Sequence, residues 1–180
     1  IHIRVDGDVR LDVLDERHVE PLFAAVEANR DYLDARLPWV EENTRVEDTR
    51  EFVKFRRKVY RNRRALPTAI VHRGRVAGTV GMDVTDPEVR AGEIGYWLVE
   101  DLQGRGIVTR SVAALLDVAF GLWRMHRIVI RCAPDNPRSC AVAERLDFTL
   151  EGTQRDAALL HGAHHDLQVY SLLESEWNTT

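Results

Sequence analysis

The spacing of apolar positions changes several times along the chain, and each change marks an element. Residues 1–14 alternate, with Ile1, Ile3 and Val5 and then Val9, Leu11 and Val13, the two-residue repeat of a bent strand or hairpin. Asp15 or Glu16 can then cap a helix whose apolar stripe is Val19, Leu22, Phe23 and Val26. A short helical piece is predicted over residues 31–37, ended near Pro38. A longer amphipathic helix is predicted over residues 48–64, with Phe52, Phe55 and Val59 at helical spacing. The basic residues from Lys54 to Arg64 read as its solvated face.

From residue 67 the texture becomes strand-like. Residues 67–72 and 76–84 are apolar runs separated by Arg73-Gly74, a hairpin turn signal, and residues 93–99 form a third strand. A glycine-bearing turn leads into a helix over residues 106–123, with Val108, Val112, Leu115, Leu116 and Phe120 inward. A strand over 127–133, a helix over 138–146 and a strand over 148–155 follow; Gly162 then marks a turn before a last strand over 167–173. This order predicts an α+β fold, with residues 1–180 forming a single domain around one sheet.

Bulk properties narrow the function classes. The 180 residues are 44% hydrophobic and 30% charged, as in a soluble domain with a real core. The formal net charge of −4 argues against nucleic acid as a partner but leaves room for a local basic pocket. Cys132 and Cys140 are too few for a disulfide framework, which fits a reducing cytoplasm. No apolar run approaches the ~20 residues that span a bilayer, and the alternating start does not resemble a signal peptide.

The segment that carries chemistry is GYWLVEDLQGRGIVTR, residues 95–110. A strand ends, Gly104 and Gly106 make a tight turn, and a helix begins at once. The first helical N–H groups, from Gly104 to Thr109, have no intrahelical partners and point outward with the positive end of the helix dipole. That arrangement suits a pyrophosphate, and Arg105 and Arg110 can add charge. No Gly-Lys-Ser/Thr follows, so this is not a Walker A loop. Thr109 stands where a dinucleotide fingerprint requires glycine. Two glycines that merely join strand to helix are the bland alternative.

Three motifs in order turn the balance. Residues 95–109 resemble the acetyl-CoA-binding motif of GNAT acetyltransferases, with Gln103-Gly104-Arg105-Gly106 in place and Asp101 departing at the first position. NPRSCAVAERLDF, residues 136–148, resembles that family's Asn-x-x-Ser helix and following turn, with Asp147 in place of glycine. GAHHDLQVYSLLESEW, residues 162–177, looks like the closing hairpin of the RimJ/RimL-type branch, which acetylates N-terminal amines of ribosomal proteins. The resemblance implies a GNAT fold: a mixed, mostly antiparallel sheet, splayed at the acyl-CoA site, with helices on both faces. It implies an N-acetyltransferase that takes acetyl-CoA and needs no metal, with a protein N-terminus as acceptor; a homodimer stays open.

By the same resemblance, the strand with Trp97, Leu98 and Val99 parts from the strand with residues 130–133, and a backbone N–H near Leu98 or Val99 polarises the thioester. Gln103, Gly104, Arg105, Gly106, Ile107, Val108 and Thr109 would hold the phosphates, and Asn136 the cofactor arm. Asn136 before Pro137 is equally a helix N-cap. Ser139 is the candidate acid for the leaving thiolate, against the plainer reading of helical polar surface.

Ala158 stands where the branch tends to carry an acid, so the candidate bases are Glu93, or Asp156 two residues before Ala158 if the strand continues regularly. Glu93 is otherwise a surface carboxylate. His161, His164, His165 and Asp166 form a hairpin-loop cluster rather than a metal site, because adjacent strand residues point to opposite faces. Trp39, with Tyr32 and Leu37, can wall the acceptor site or simply pack. A succinyl donor, a small-molecule amine acceptor and a non-catalytic acyl-CoA-binding module are the other readings.

Overall fold

A computed structural model describes residues 2–177. Eight strands form one sheet: β1 (His2–Arg4), β2 (Val9–Val13), β3 (Ala65–His72), β4 (Arg75–Asp86), β5 (Ala91–Leu98), β6 (Arg127–Cys132), β7 (Thr149–Leu160) and β8 (Ala163–Leu173). Their order across the sheet is β1-β2-β3-β4-β5-β6-β8-β7. Neighbours pair antiparallel except β5 and β6, which run parallel. Among the described residues six α-helices accompany them: α1 (Val19–Ala28), α2 (Arg30–Asp34), α3 (Val46–Arg61), α4 (Ile107–Asp117), α5 (Pro137–Arg145) and α6 (Glu174–Trp177). No helix among the described residues is long and apolar enough to cross a membrane.

Turn chemistry placed several boundaries as the sequence predicts. Arg73 and Gly74 both take positive φ, 48° and 82°, and close the β3–β4 hairpin. Asp147 ends α5 in the left-handed region at φ 58°, the geometry its replacement of glycine requires. The helix predicted over 106–123 is α-helical to Asp117 and continues as a π-helical segment, Val118–Leu122, which still buries Phe120.

Helices cover both faces because β3 is apolar on both. Leu66 and Ile70 of β3 enter the large core with Val112 and Leu115 of α4, while Ala69 and Val71 pack with Leu22 of α1 and Val53 of α3. Alternation of side chains along a strand puts these two sets on opposite faces.

The predicted apolar stripe of α3 is corrected by the structure. Phe52 and Phe55 are 45% and 60% exposed, whereas Thr49 and Val53 face the core. Phase explains the error. Val46, Thr49, Val53 and Tyr60 form a weaker apolar stripe that includes Arg56, whose side chain is only 17% exposed and pairs with Asp83 of β4 at 2.8 Å.

Candidate active site

The parallel pairing of β5 with β6 ends at Glu93 opposite Val129. Beyond it β5 runs on to Leu98 and β6 to Cys132 without pairing each other, so a gap opens between them. The Val99 N–H donates to the Ala77 carbonyl at 2.8 Å, on the β4 side. Main-chain groups alternate in direction along a strand, so Tyr96 and Leu98 turn theirs toward the gap. The Leu98 carbonyl accepts from Gln103 Nε2 at 3.2 Å. Of the two N–H groups considered from sequence, Leu98 supplies the one facing the gap; that of Val99 is already engaged.

The mouth of the gap is the start of α4. Gly104 (φ 72°) and Gly106 (φ 68°) both lie in the left-handed region, and Gly106 is the N-cap, with no side chain closing the first turn. The first-turn N–H groups therefore keep their outward capacity. The first turn contains no acidic residue. Arg110 Nη1 donates to the Arg105 carbonyl at 2.9 Å and holds the turn.

The far wall is α5. Asn136 caps it, its Oδ1 accepting from the Ser139 N–H at 3.4 Å, and Pro137 occupies the first helical position. The Ser139 hydroxyl donates to Tyr96 Oη at 3.3 Å, and Tyr96 Oη donates to the Ser139 carbonyl at 2.8 Å. Burial pushes the Tyr96 phenol up from its ordinary value, so it stays protonated.

These parts enclose a cleft of about 540 Å³. Of the residues singled out from sequence, Trp97, Leu98, Gln103, Gly104, Gly106, Ile107, Val108, Thr109, Asn136 and Ser139 line it. Arg36, Tyr96, Arg138 and Arg145 line it too, and sequence reasoning missed them. Arg138 and Arg145 lie seven residues apart on α5 with Val142 between, a spacing that puts them on one face. Gln103 crosses the cleft, donating to Tyr32 Oη and accepting from Arg138 Nη1 at 2.9 Å. Four guanidiniums, a helix N-terminus and an apolar interior fit a ligand with phosphates at one end and an uncharged arm at the other.

Val99, Arg105, Glu93 and Asp156 are not in this lining. Glu93 lies on the face of β5 that carries Trp97 and accepts from Arg131 Nε at 2.9 Å. Asp156 sits in a bulge, where Arg155, Asp156 and Ala157 of β7 face the single residue Asp166 of β8. Its φ is 52°, and its N–H donates to Asp166 Oδ1 at 2.9 Å. The strand is therefore not regular between Asp156 and Ala158, and a shared face for the two does not follow. His161 is tied to α2 through the Asp34 carbonyl at 2.9 Å, while His164 and His165 pair with Leu159 and Ala158. Cys132 and Cys140 are both buried, the latter donating to Gln168 Oε1 at 3.3 Å. Trp39 packs on Trp97 at a centroid distance of 6.1 Å, and Tyr32 and Leu37 line the cleft.

Residues 8–149 match the acetyltransferase (GNAT) domain. The chain belongs to the GNAT family. It is an N-acetyltransferase. Relatives of this GNAT chain include the putative ribosomal N-acetyltransferase YdaF of Bacillus subtilis (strain 168), 30% identical, with 97% of this chain and 96% of the relative covered. The ribosomal-protein-serine acetyltransferase of Escherichia coli (strain K12) is 32% identical, with 94% of each covered. Among solved structures, RimL, the ribosomal L7/L12 α-N-protein acetyltransferase in complex with coenzyme A, superimposes with a TM-score of 0.92 at 34% identity, covering 96% of this chain and 98% of that one. As a GNAT fold, the sheet parted between β5 and β6 and the glycine turn before α4 are where the sequence resemblance implies them.

Proposed function

We propose that this GNAT enzyme transfers the acetyl group of acetyl-CoA directly to the α-amine of a protein N-terminus, in the cytoplasm. The observation that carries the reading is one continuous cleft. It runs from the left-handed Gly104–Gly106 turn, along the unpaired edge of β5, to the Ser139 hydroxyl. The α4 N-terminus with Arg110 and Arg138 would hold the cofactor's phosphates, and the Tyr96 and Leu98 main chain its amide arm. The Leu98 N–H stabilises charge developing on the thioester oxygen. Ser139 donates to the departing sulfur.

The acceptor class follows from the shortage of a strong base. Among the described residues that line the cleft there is no carboxylate. At pH 7 deprotonating an α-amine costs ~1.4 kcal/mol against ~4.6 for a lysine, so an N-terminus needs the least help. The ribosomal-protein specificities of the relatives point the same way. Glu93 is the assigned base, taking the proton through water from the Trp97 face of β5.

Thiol release from acetyl-CoA with a panel of N-terminal peptides, polyamines and lysine peptides tests this. Turnover is expected with N-terminal peptides, falling ~100-fold or more in Ser139→Ala and ~10-fold in Glu93→Gln. Tight CoA binding with no turnover on any amine, or preference for succinyl-CoA, would overturn it.

A further inference from the structure

We propose that Tyr96 is a positioning residue for the leaving-group site, acting through Ser139. This rests on the assignment of Ser139 as the group that donates to sulfur. Tyr96 belongs to β5 and Ser139 to the first turn of α5, two elements 43 residues apart that come together at the gap. Two hydrogen bonds tie them. Tyr96 Oη gives its own proton to the Ser139 carbonyl at 2.8 Å, a short and well-made bond. Its oxygen is left to accept, and what it accepts is the Ser139 hydroxyl at 3.3 Å.

The two distances differ in a way that matters. The 2.8 Å bond locks the phenol and fixes the start of α5 against β5. The 3.3 Å bond is long for O–H···O, so the Ser139 proton is held in a direction yet easily surrendered to a better acceptor. A free serine hydroxyl samples three staggered rotamers; here a single acceptor biases it toward one. Burial raises the Tyr96 phenol, so Tyr96 keeps its proton, and that proton is engaged by the Ser139 carbonyl.

The proton balance is then complete. The amine nitrogen forms the N–C bond, and the C–S bond breaks with its electron pair on sulfur. Ser139 turns its O–H from Tyr96 to that sulfur and gives up the proton. One proton leaves the acceptor nitrogen, and Ser139 regains one through solvent. Tyr96 ends as it began.

The test is a double-mutant cycle of Tyr96→Phe and Ser139→Ala, with kcat and the KM for acetyl-CoA measured separately. Phenylalanine keeps the ring and its packing and removes only the hydroxyl. Tyr96→Phe is expected to lower kcat ~10-fold, with KM within ~2-fold, and the double variant to be no slower than Ser139→Ala. Losses that multiply in the double variant would place Tyr96 outside Ser139's action and overturn the proposal. So would wild-type kcat in Tyr96→Phe beside an impaired Ser139→Ala. Wild-type rates in Ser139→Ala would instead remove the Ser139 assignment itself, and this proposal with it.

Discussion

Gly106→Ala puts the proposed phosphate turn under direct test. Gly106 sits at φ 68°, where an L-residue costs ~1–2 kcal/mol. A Cβ there would lie 2.9 Å from Arg110 Nη1, the far end of a flexible side chain. Arg110 can yield, but yielding breaks its 2.9 Å bond to the Arg105 carbonyl and disturbs its 2.9 Å ion pair with Asp6. Both contacts are exposed, so they add a few tenths of a kcal/mol each. The sum is about 2 kcal/mol, or a Tm lower by about 4–8 °C for a chain of this length. Gly104→Ala is the matched control. Its φ of 72° carries the same backbone cost, but its Cβ meets nothing within 4 Å. The assay is thermal unfolding with and without CoA, backed by calorimetric titration. At 100 times Kd, CoA stabilises the wild type by ~2.7 kcal/mol. Gly106→Ala, assayed at the same concentration, is expected to lose most of that shift because the guanidinium and the first-turn N–H groups both move. A Gly106→Ala protein with unchanged Tm and an unchanged CoA shift would refute the claim that this turn builds the phosphate site.

Two further predictions concern stability alone. Glu151 is held at about 2, below its ordinary 4.5, by the Arg127 guanidinium and the Ser171 hydroxyl. A depressed carboxylate stabilises above its unfolded value, so this contribution is complete above about pH 4.5 and lost as pH falls toward about 2. The side chain is 40% exposed, which reduces the nominal ~3.4 kcal/mol to ~1. Glu151→Gln should therefore unfold earlier in urea at pH 7, with the difference shrinking by pH 3. On α3, Val53→Ala should cost ~2 kcal/mol while Phe55→Ala stays within ~0.5, since Val53 is fully buried and Phe55 is 60% exposed. Equal losses would restore the stripe that periodicity favoured.

That pair of substitutions also shows where local pattern misleads. Phe52, Phe55 and Val59 outweigh Val46, Thr49 and Val53 in hydrophobicity, yet Thr49 and Val53 are buried and Val46 half-buried, with Arg56 on the same face reaching Asp83. Burial there is decided by a partner on β4, which a helical period cannot register. β7 failed differently. The strand predicted over 148–155 runs on to Leu160 through the bulge at residues 155–157, and a bulge shifts the repeat that identifies a strand. Arg73-Gly74 and Asp147 were legible because positive φ restricts residue choice at a single position.

The same distinction divides the active site. The Gly104–Gly106 turn proposed to hold the phosphates is legible because its chemistry belongs to the backbone: Gly104 and Gly106 are required by φ, and the N–H groups follow from the helix. It even tolerates Asp101, an acid in a position where the family carries Gln or Arg. The structure shows why. Both oxygens of Asp101 accept from Arg75 Nη2, at 2.9 and 3.0 Å, so its charge is paired at the start of β4 and stays out of the cleft. The Tyr96–Ser139 pair belongs to side chains 43 residues apart, and nothing local in either segment announces the other. A turn built from main-chain donors tolerates changes in its side chains, so its motif stays readable in the sequence. The hydrogen-bonded Tyr96–Ser139 pair exists only once β5 and α5 have met across the gap, which makes it the part of this acetyltransferase that had to be read from the fold.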